Sequence, residues 1–150
     1  MLDELAAKAA ASPRLRAHHS VHESGADPVQ RLFVVAKRDS YFRPHRHLTK
    51  IETALVLRGR FDVVTFDDNG FVSARYELGE GASSFGYETP EATWHSLIMH
   101  SAVAAFYEVK EGPYDPATAV EFAPWAPPEG DADARAYLDW ARTAPPGARR

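Results

Sequence analysis

The sequence predicts an all-β fold, a sandwich or barrel with a short helix at each end. Two observations carry this. Eight or so short runs rich in β-branched and aromatic residues recur from residue 29 to residue 111, divided by turn residues. Between them lies none of the helical periodicity that the crossovers of a parallel sheet require. The chain has 150 residues, the size of one typical domain, and its 45% apolar content is ordinary for a packed core.

Residues 1–11 read as an amphipathic helix, with Leu2 and Leu5 sharing a face with Ala6 and Ala9. Ser12-Pro13 ends it, because the residue before proline disfavours the α region. "RLRAHHSVHES" reads as an early strand, and Gly25-Ala26-Asp27-Pro28 as a turn. "VQRLFVVAK" is a strand broken by Lys37-Arg38-Asp39-Ser40, and "SYFRPHRH" is extended. "IETALVLRGRFDVVTF" divides at Arg58-Gly59-Arg60 into two strands. Asp67-Asp68-Asn69-Gly70 is a hairpin turn, since Asn-Gly tolerates positive φ. "FVSARYEL", "SSFGYE", "TWHSLIM" and "AVAAFYEV" supply the remaining strands. The proline-rich, aromatic stretch from residue 112 is expected to wrap over the barrel and bury its rings. "DADARAYLDWAR" reads as a closing helix capped by Asp131 or Asp133, with Tyr137, Trp140 and Ala141 on one face. The expected organisation is one domain: helix and early strand over 1–26, barrel over 27–111, wrapping segment and helix over 112–142, and a flexible tail over 143–150.

Composition narrows the function. The 17 basic and 21 acidic residues leave a net charge of −4, which gives no electrostatic case for nucleic acid or an anionic membrane. With no cysteine, any metal site must use His, Asp or Glu. The N-terminus lacks the basic start and apolar run of a signal peptide, and no stretch reaches the ~20 apolar residues of a membrane span. The expectation is a soluble cytoplasmic protein.

"HRHLTKIETALVLRG" carries the chemistry. His45 and His47 are two apart on an extended segment, so both imidazoles share a face. Glu52 has the opposite parity, so the chain must bend within Leu48-Thr49-Lys50 for its carboxylate to join them. Gly59 then closes a tight turn. A fourth donor, His95, follows Pro90 by five residues inside an apolar strand with Leu97 and Met99 on its face. Three imidazoles and a carboxylate make an N₃O set that leaves an octahedral ion two open positions. Each donor alone reads more plainly as a surface or core residue; the joint spacing points to a metal.

That spacing resembles the cupin superfamily: HxH, four residues, Glu, six residues, Gly, then later proline, four residues, His. The leading glycines of its two motifs are replaced by Asp39 and Ser84, a third glycine by Ala92 and a closing asparagine by Met99, while all four ligand positions match. "SPRLRAHHSVHES", "DPVQRLFVV", "SYFRPHRH", "EVKEGPYDP" and "FAPWAPPEG" are similar to the WbuC family of cupin-fold metalloproteins over roughly residues 12–130, with Ser20 in place of an expected asparagine and a shorter spacer before Glu52. The resemblance implies a double-stranded β-helix, or jelly-roll barrel. It also implies one divalent metal ion and a role in bacterial surface-polysaccharide synthesis; it assigns no reaction.

Other candidates for the site are Tyr41, four residues before His45, and Arg58, of the same parity as Glu52. Lys110 and Tyr114 at a strand end are suited to a phosphate or carboxylate, and His22, at the end of the early strand, is within reach of the pocket of its own chain or a neighbour. His18, His19 and His100 read as surface or structural. His45, His47, Glu52 and His95 would hold Fe(II), Mn(II), Ni(II) or Zn(II), which ligand type does not separate. Three functions follow. One is a metal-dependent enzyme acting on a small polar ligand such as a sugar or sugar nucleotide. Another is a non-catalytic binding or sensing module. The third is a metal-free sugar-nucleotide epimerase with a His base and a Tyr acid. Cupin analogy favours the enzyme. Apolar surface on the N-terminal helix and "APWAPPEG" suggests a homodimer.

Overall fold

The computed structural model describes residues 1–150. In order the elements are α1 (Leu2–Ala11), β1 (Arg16–Ser20), β2 (Val29–Lys37), β3 (His45–Arg46), β4 (Glu52–Arg58) and β5 (Arg60–Phe66). They continue with β6 (Val72–Gly79), β7 (Gly86–Thr89), β8 (Trp94–Met99), β9 (Val103–Glu111), β10 (Glu121–Phe122) and α2 (Ala134–Ala141). They form two five-stranded antiparallel sheets, ordered β1-β2-β9-β4-β7 and β10-β3-β8-β5-β6.

Strand alternation decides what each sheet buries. Val34, Ala36, Ala54, Phe61, Val63, Leu97, Met99, Ala104 and Phe106 point between the sheets and form the central core. The opposite parity on the second sheet is apolar as well: Val64, Phe66, Trp94 and Ile98 pack outward beneath Tyr137, Leu138 and Ala141 of α2. β8 is therefore buried on both faces along its whole length. On the first sheet, Val35 and Ala105 lie under Leu5 of α1. Each large side chain so covered contributes about 1.5–3 kcal/mol.

Gly59 has φ of +74° between β4 and β5, and a Cβ there would meet the Val103 carbonyl oxygen at 2.7 Å, so the expected tight turn also requires the absence of a side chain. Only His45–Arg46 of the "SYFRPHRH" stretch pairs as strand. Pro44 has no N–H to donate, and the Tyr41 carbonyl is taken by Arg16 Nη1 at 2.9 Å. Asp133 occupies the N-cap of α2 without a side-chain bond, and Asp131 instead accepts the Asp133 N–H at 2.8 Å.

The proline-rich segment contributes β10, paired to β3. Its Trp125 packs on Phe66 and Trp94. Tyr114 and Phe122 stay exposed, contrary to the expectation that its rings are buried. The apolar residues of α1 and "APWAPPEG" that suggested a dimer pack largely against their own chain. Residues 143–150, expected to be a flexible tail, are tied to β6: Val72 N–H donates to Ala148 and Gly147 N–H to Val72, both at 2.8 Å. No helix is long and apolar enough to cross a membrane.

Candidate metal centre

Three strand ends bring the donors together. His45 and His95 face one another directly across β3 and β8. His47 follows as the chain leaves β3, and the bend over residues 48–51 returns it so that Glu52 opens β4 in the opposite sheet. The turn before β8 is anchored to the same place, because Ala92 N–H donates to the His47 carbonyl at 2.7 Å. Ala92 has φ of +55°, a left-handed conformation at the position where the cupin motif carries glycine.

Backbone carbonyls fix the imidazoles. His45 Nδ1 lies 2.9 Å from Arg43 O, His47 Nδ1 2.6 Å from Ala119 O and His95 Nδ1 2.9 Å from Thr93 O. A carbonyl only accepts, so each Nδ1 carries the hydrogen and each Nε2 is left for another partner. One ligating nitrogen from each ring lies within 4.8 Å of the others. Glu52, 3% exposed, places Oε2 3.1 Å from His47 Nε2 and Oε1 3.7 Å from His95 Nε2. His95 Nε2 is buried with no hydrogen-bond partner. Bare nitrogen lone pairs facing a buried carboxylate repel one another unless a proton or a metal cation lies between them.

The electrostatics agree. Burial pushes His45 down to about 3, helped by its neighbour His95, so it stays neutral with its lone pair free. Burial alone would raise Glu52, but the approach of His47 and His95 and the charge of Lys110 bring it well below the usual carboxylate range. Burial alone would lower His95, and Glu52 more than reverses this. Both shifts favour a positive charge beside Glu52, which a proton or a metal cation would supply.

A cavity of about 250 Å³ opens from this centre, walled by Leu32, Phe42, Leu97 and Lys110, with Tyr114 and Phe122 at its rim. Lys110 Nζ lies 2.7 Å from Glu108 Oε1 and 3.5 Å from Glu52 Oε2. Of the other candidates, Tyr114 reaches this cavity and three do not. Tyr41 donates its hydroxyl to Pro127 O at 3.0 Å and packs on Tyr137, because residues 41–44 are not the regular strand that its spacing assumed. Arg58 bonds Asp3 of α1 at 2.7 Å; a β-bulge between Val56 and Arg58 reverses the parity that would have turned it inward. His22 Nδ1 accepts the Arg31 N–H at 3.0 Å, away from the cavity.

Five lining or supporting groups escaped the sequence reading. Tyr87 donates its hydroxyl to Glu52 Oε1 at 3.1 Å, and burial and the Glu52 charge keep the phenol protonated. Glu108 shares the inward parity of Lys110 on β9, a signal that was legible in the sequence. Arg16 and His18 share a face of β1 and both line the cavity; His18, read as surface or structural, is exposed there. Glu129, clamped by Arg14 and Arg16, comes from a distant loop and left no local signal.

A family model described as a domain of unknown function (DUF6016) matches residues 1–78. No curated protein matches the sequence. Among solved structures, the chain is similar to KdgF from Halomonas sp., with a TM-score of 0.54 and 16% identity over 71% of this chain and 84% of that one. The capsular polysaccharide assembling protein CapF from Staphylococcus aureus gives a TM-score of 0.57 and 17% identity over 70% of this chain but 31% of its own. The Cnp3 cupin domain of Schizosaccharomyces pombe gives 0.53 and 10% identity over 64% of each. At these identities the likeness is one of fold, and it bears out the jelly-roll barrel expected from sequence.

Proposed function

The chain belongs to the DUF6016 family and has the cupin fold, and from that premise we propose that it is a mononuclear divalent-metal protein acting on a small polar metabolite. His45, His47, His95 and Glu52 hold the ion, drawn from Fe(II), Mn(II), Ni(II) and Zn(II). One observation carries the reading: three imidazoles with their Nδ1 hydrogens committed to carbonyls turn the other nitrogens toward a buried carboxylate and one another. A bound divalent ion would supply Lewis-acid polarisation of a ligand oxygen.

The protein's own groups then have distinct tasks. Tyr87 orients Glu52 through its hydroxyl. Lys110, beside Glu52 and Glu108, presents a cation to a carboxylate or phosphate of the ligand. Phe42, Leu32 and Leu97 give the otherwise polar cavity an apolar wall for the carbon skeleton of a ligand. The WbuC-like segments, and the likeness in fold to the capsular polysaccharide assembling protein CapF, support a sugar or sugar-nucleotide ligand in surface-polysaccharide metabolism.

Elemental analysis of protein purified without chelator or nickel column tests this, alongside His47→Ala and His95→Ala. The expected result is one equivalent of metal in the wild type and its loss in both variants. Full stoichiometry in His47→Ala would sink the ligand assignment. Metal-dependent turnover of a sugar nucleotide would mark an enzyme, and binding without turnover a sensing module. A protein that cannot be loaded with metal would favour the metal-free epimerase.

A further inference from the structure

A second cavity lies at the seam where the two sheets part. β6 pairs only with β5, and β7 only with β4. A single bridge, Leu78 to Ser84, joins the two free edges. Beside it opens a groove of about 590 Å³, more than twice the volume of the metal cavity and within the range of ~300–1,000 Å³ that small-ligand sites occupy. None of the four proposed metal donors lines it, and of the residues that support them only Tyr87 and Thr93 do.

The chemistry of its wall is selective. Hydroxyl-bearing side chains line it from three strands: Thr65 on β5, Ser73 and Tyr76 on β6, and Ser84 and Thr89 on or beside β7, while Tyr87 lines it with its hydroxyl turned to Glu52. Thr89 is 4% exposed, and its Oγ1 has no hydrogen-bond partner. Val63 and Leu78 supply an apolar floor, and the Tyr76 ring stands 54% exposed at the rim. The one charged side chain is the carboxylate of Glu88, and no Lys, Arg or His contributes. An anionic ligand would find no counter-charge and would meet Glu88. A purely apolar ligand would leave the buried Thr89 hydroxyl unpaired, at a cost of about 1–3 kcal/mol. A neutral ligand with several hydroxyls and a C–H face meets the hydroxyls, the carboxylate and the aromatic ring together.

We propose that the β6–β7 seam is a binding site for a neutral, multiply hydroxylated ligand of about one sugar ring, distinct from the metal cavity. The two sites share a wall: Thr89 lies across the ladder from Glu52, Thr65 across from His95, and Tyr87 reaches Glu52 through its hydroxyl. The proposal does not rest on the presence of the ion.

Isotope-labelled protein titrated with D-glucose, D-galactose, D-mannose and myo-inositol, and with glucose 6-phosphate and glucuronate, tests it by NMR. At least one neutral probe is expected to saturate, with shifts at Thr65, Tyr76 and Thr89, and to bind about tenfold or more tightly than the charged probes. Tyr76→Ala, at an exposed position, and the isosteric Thr89→Val are each expected to weaken it about tenfold while leaving the fold and metal stoichiometry intact. Absence of saturation by every neutral probe overturns the proposal. So do equal or tighter binding of the charged probes, shifts confined to Lys110 and Tyr114, or variants that bind as the wild type does.

Discussion

His95 is the residue on which the metal centre turns. Its Nδ1 is committed to Thr93, its Nε2 has no partner, and Glu52 raises its proton affinity against the effect of burial. An incoming ion competes with protons for the imidazole nitrogens, so metal affinity should fall as pH drops. Calorimetric titration at two pH values measures this; an affinity unchanged by acidification would show that the imidazoles do not hold the ion. Ala92 offers a second test. Its left-handed backbone costs an alanine about 1–2 kcal/mol, so Ala92→Gly should raise the melting temperature by about 2–4 °C. The sequence pattern marks this position, because glycine stands there in the cupin motif; that the turn is left-handed only the backbone shows.

At the scale of elements, β5 and α2 are joined by one buried carboxylate. Asp62 is 3% exposed and takes Arg75 Nη1 and, at 2.8 Å, His100 Nε2. Arg75 in turn donates to the carbonyls of Ala141 and Ala144 at the end of α2. Burial alone would raise Asp62, but His100 and Arg75 together hold it below the usual range. A depressed value in the folded state contributes stability above the ordinary carboxylate value of about 3.9 and loses it as pH falls through the folded value. Asp62→Ala should lower stability at pH 7 by about 2–4 kcal/mol in urea unfolding, and the gap to wild type should close below about pH 4. The boundaries of β2, β4 and β5 were legible from hydrophobic runs and Gly59. The bulge that turns Arg58 outward to Asp3 was not, since it depends on how β4 registers against β9.

The whole molecule separates its packing from its chemistry. The core beneath α2 lies on the outer face of the second sheet, while the histidines and Glu52 lie between the sheets. Leu138, 1% exposed, belongs to the outer core. Leu138→Ala should lower stability by about 2–4 kcal/mol and leave the metal stoichiometry of the folded protein unchanged, read by chemical unfolding and elemental analysis on one sample. Loss of metal at full foldedness would show that the outer core positions the donors.

By itself the sequence determined the all-β class, the two end helices and the four candidate donors. Strand parity, turn residues and donor spacing are local properties that a linear pattern records. Tertiary structure decided which polar groups meet. Tyr87 reaches Glu52, Glu129 reaches Arg14 and Arg16, and Tyr41 leaves the cavity for Pro127, because sheet register and loop closure bring together residues 35 to 115 positions apart. The seam groove is likewise absent from any linear pattern, since it exists only where the edges of two sheets fail to pair.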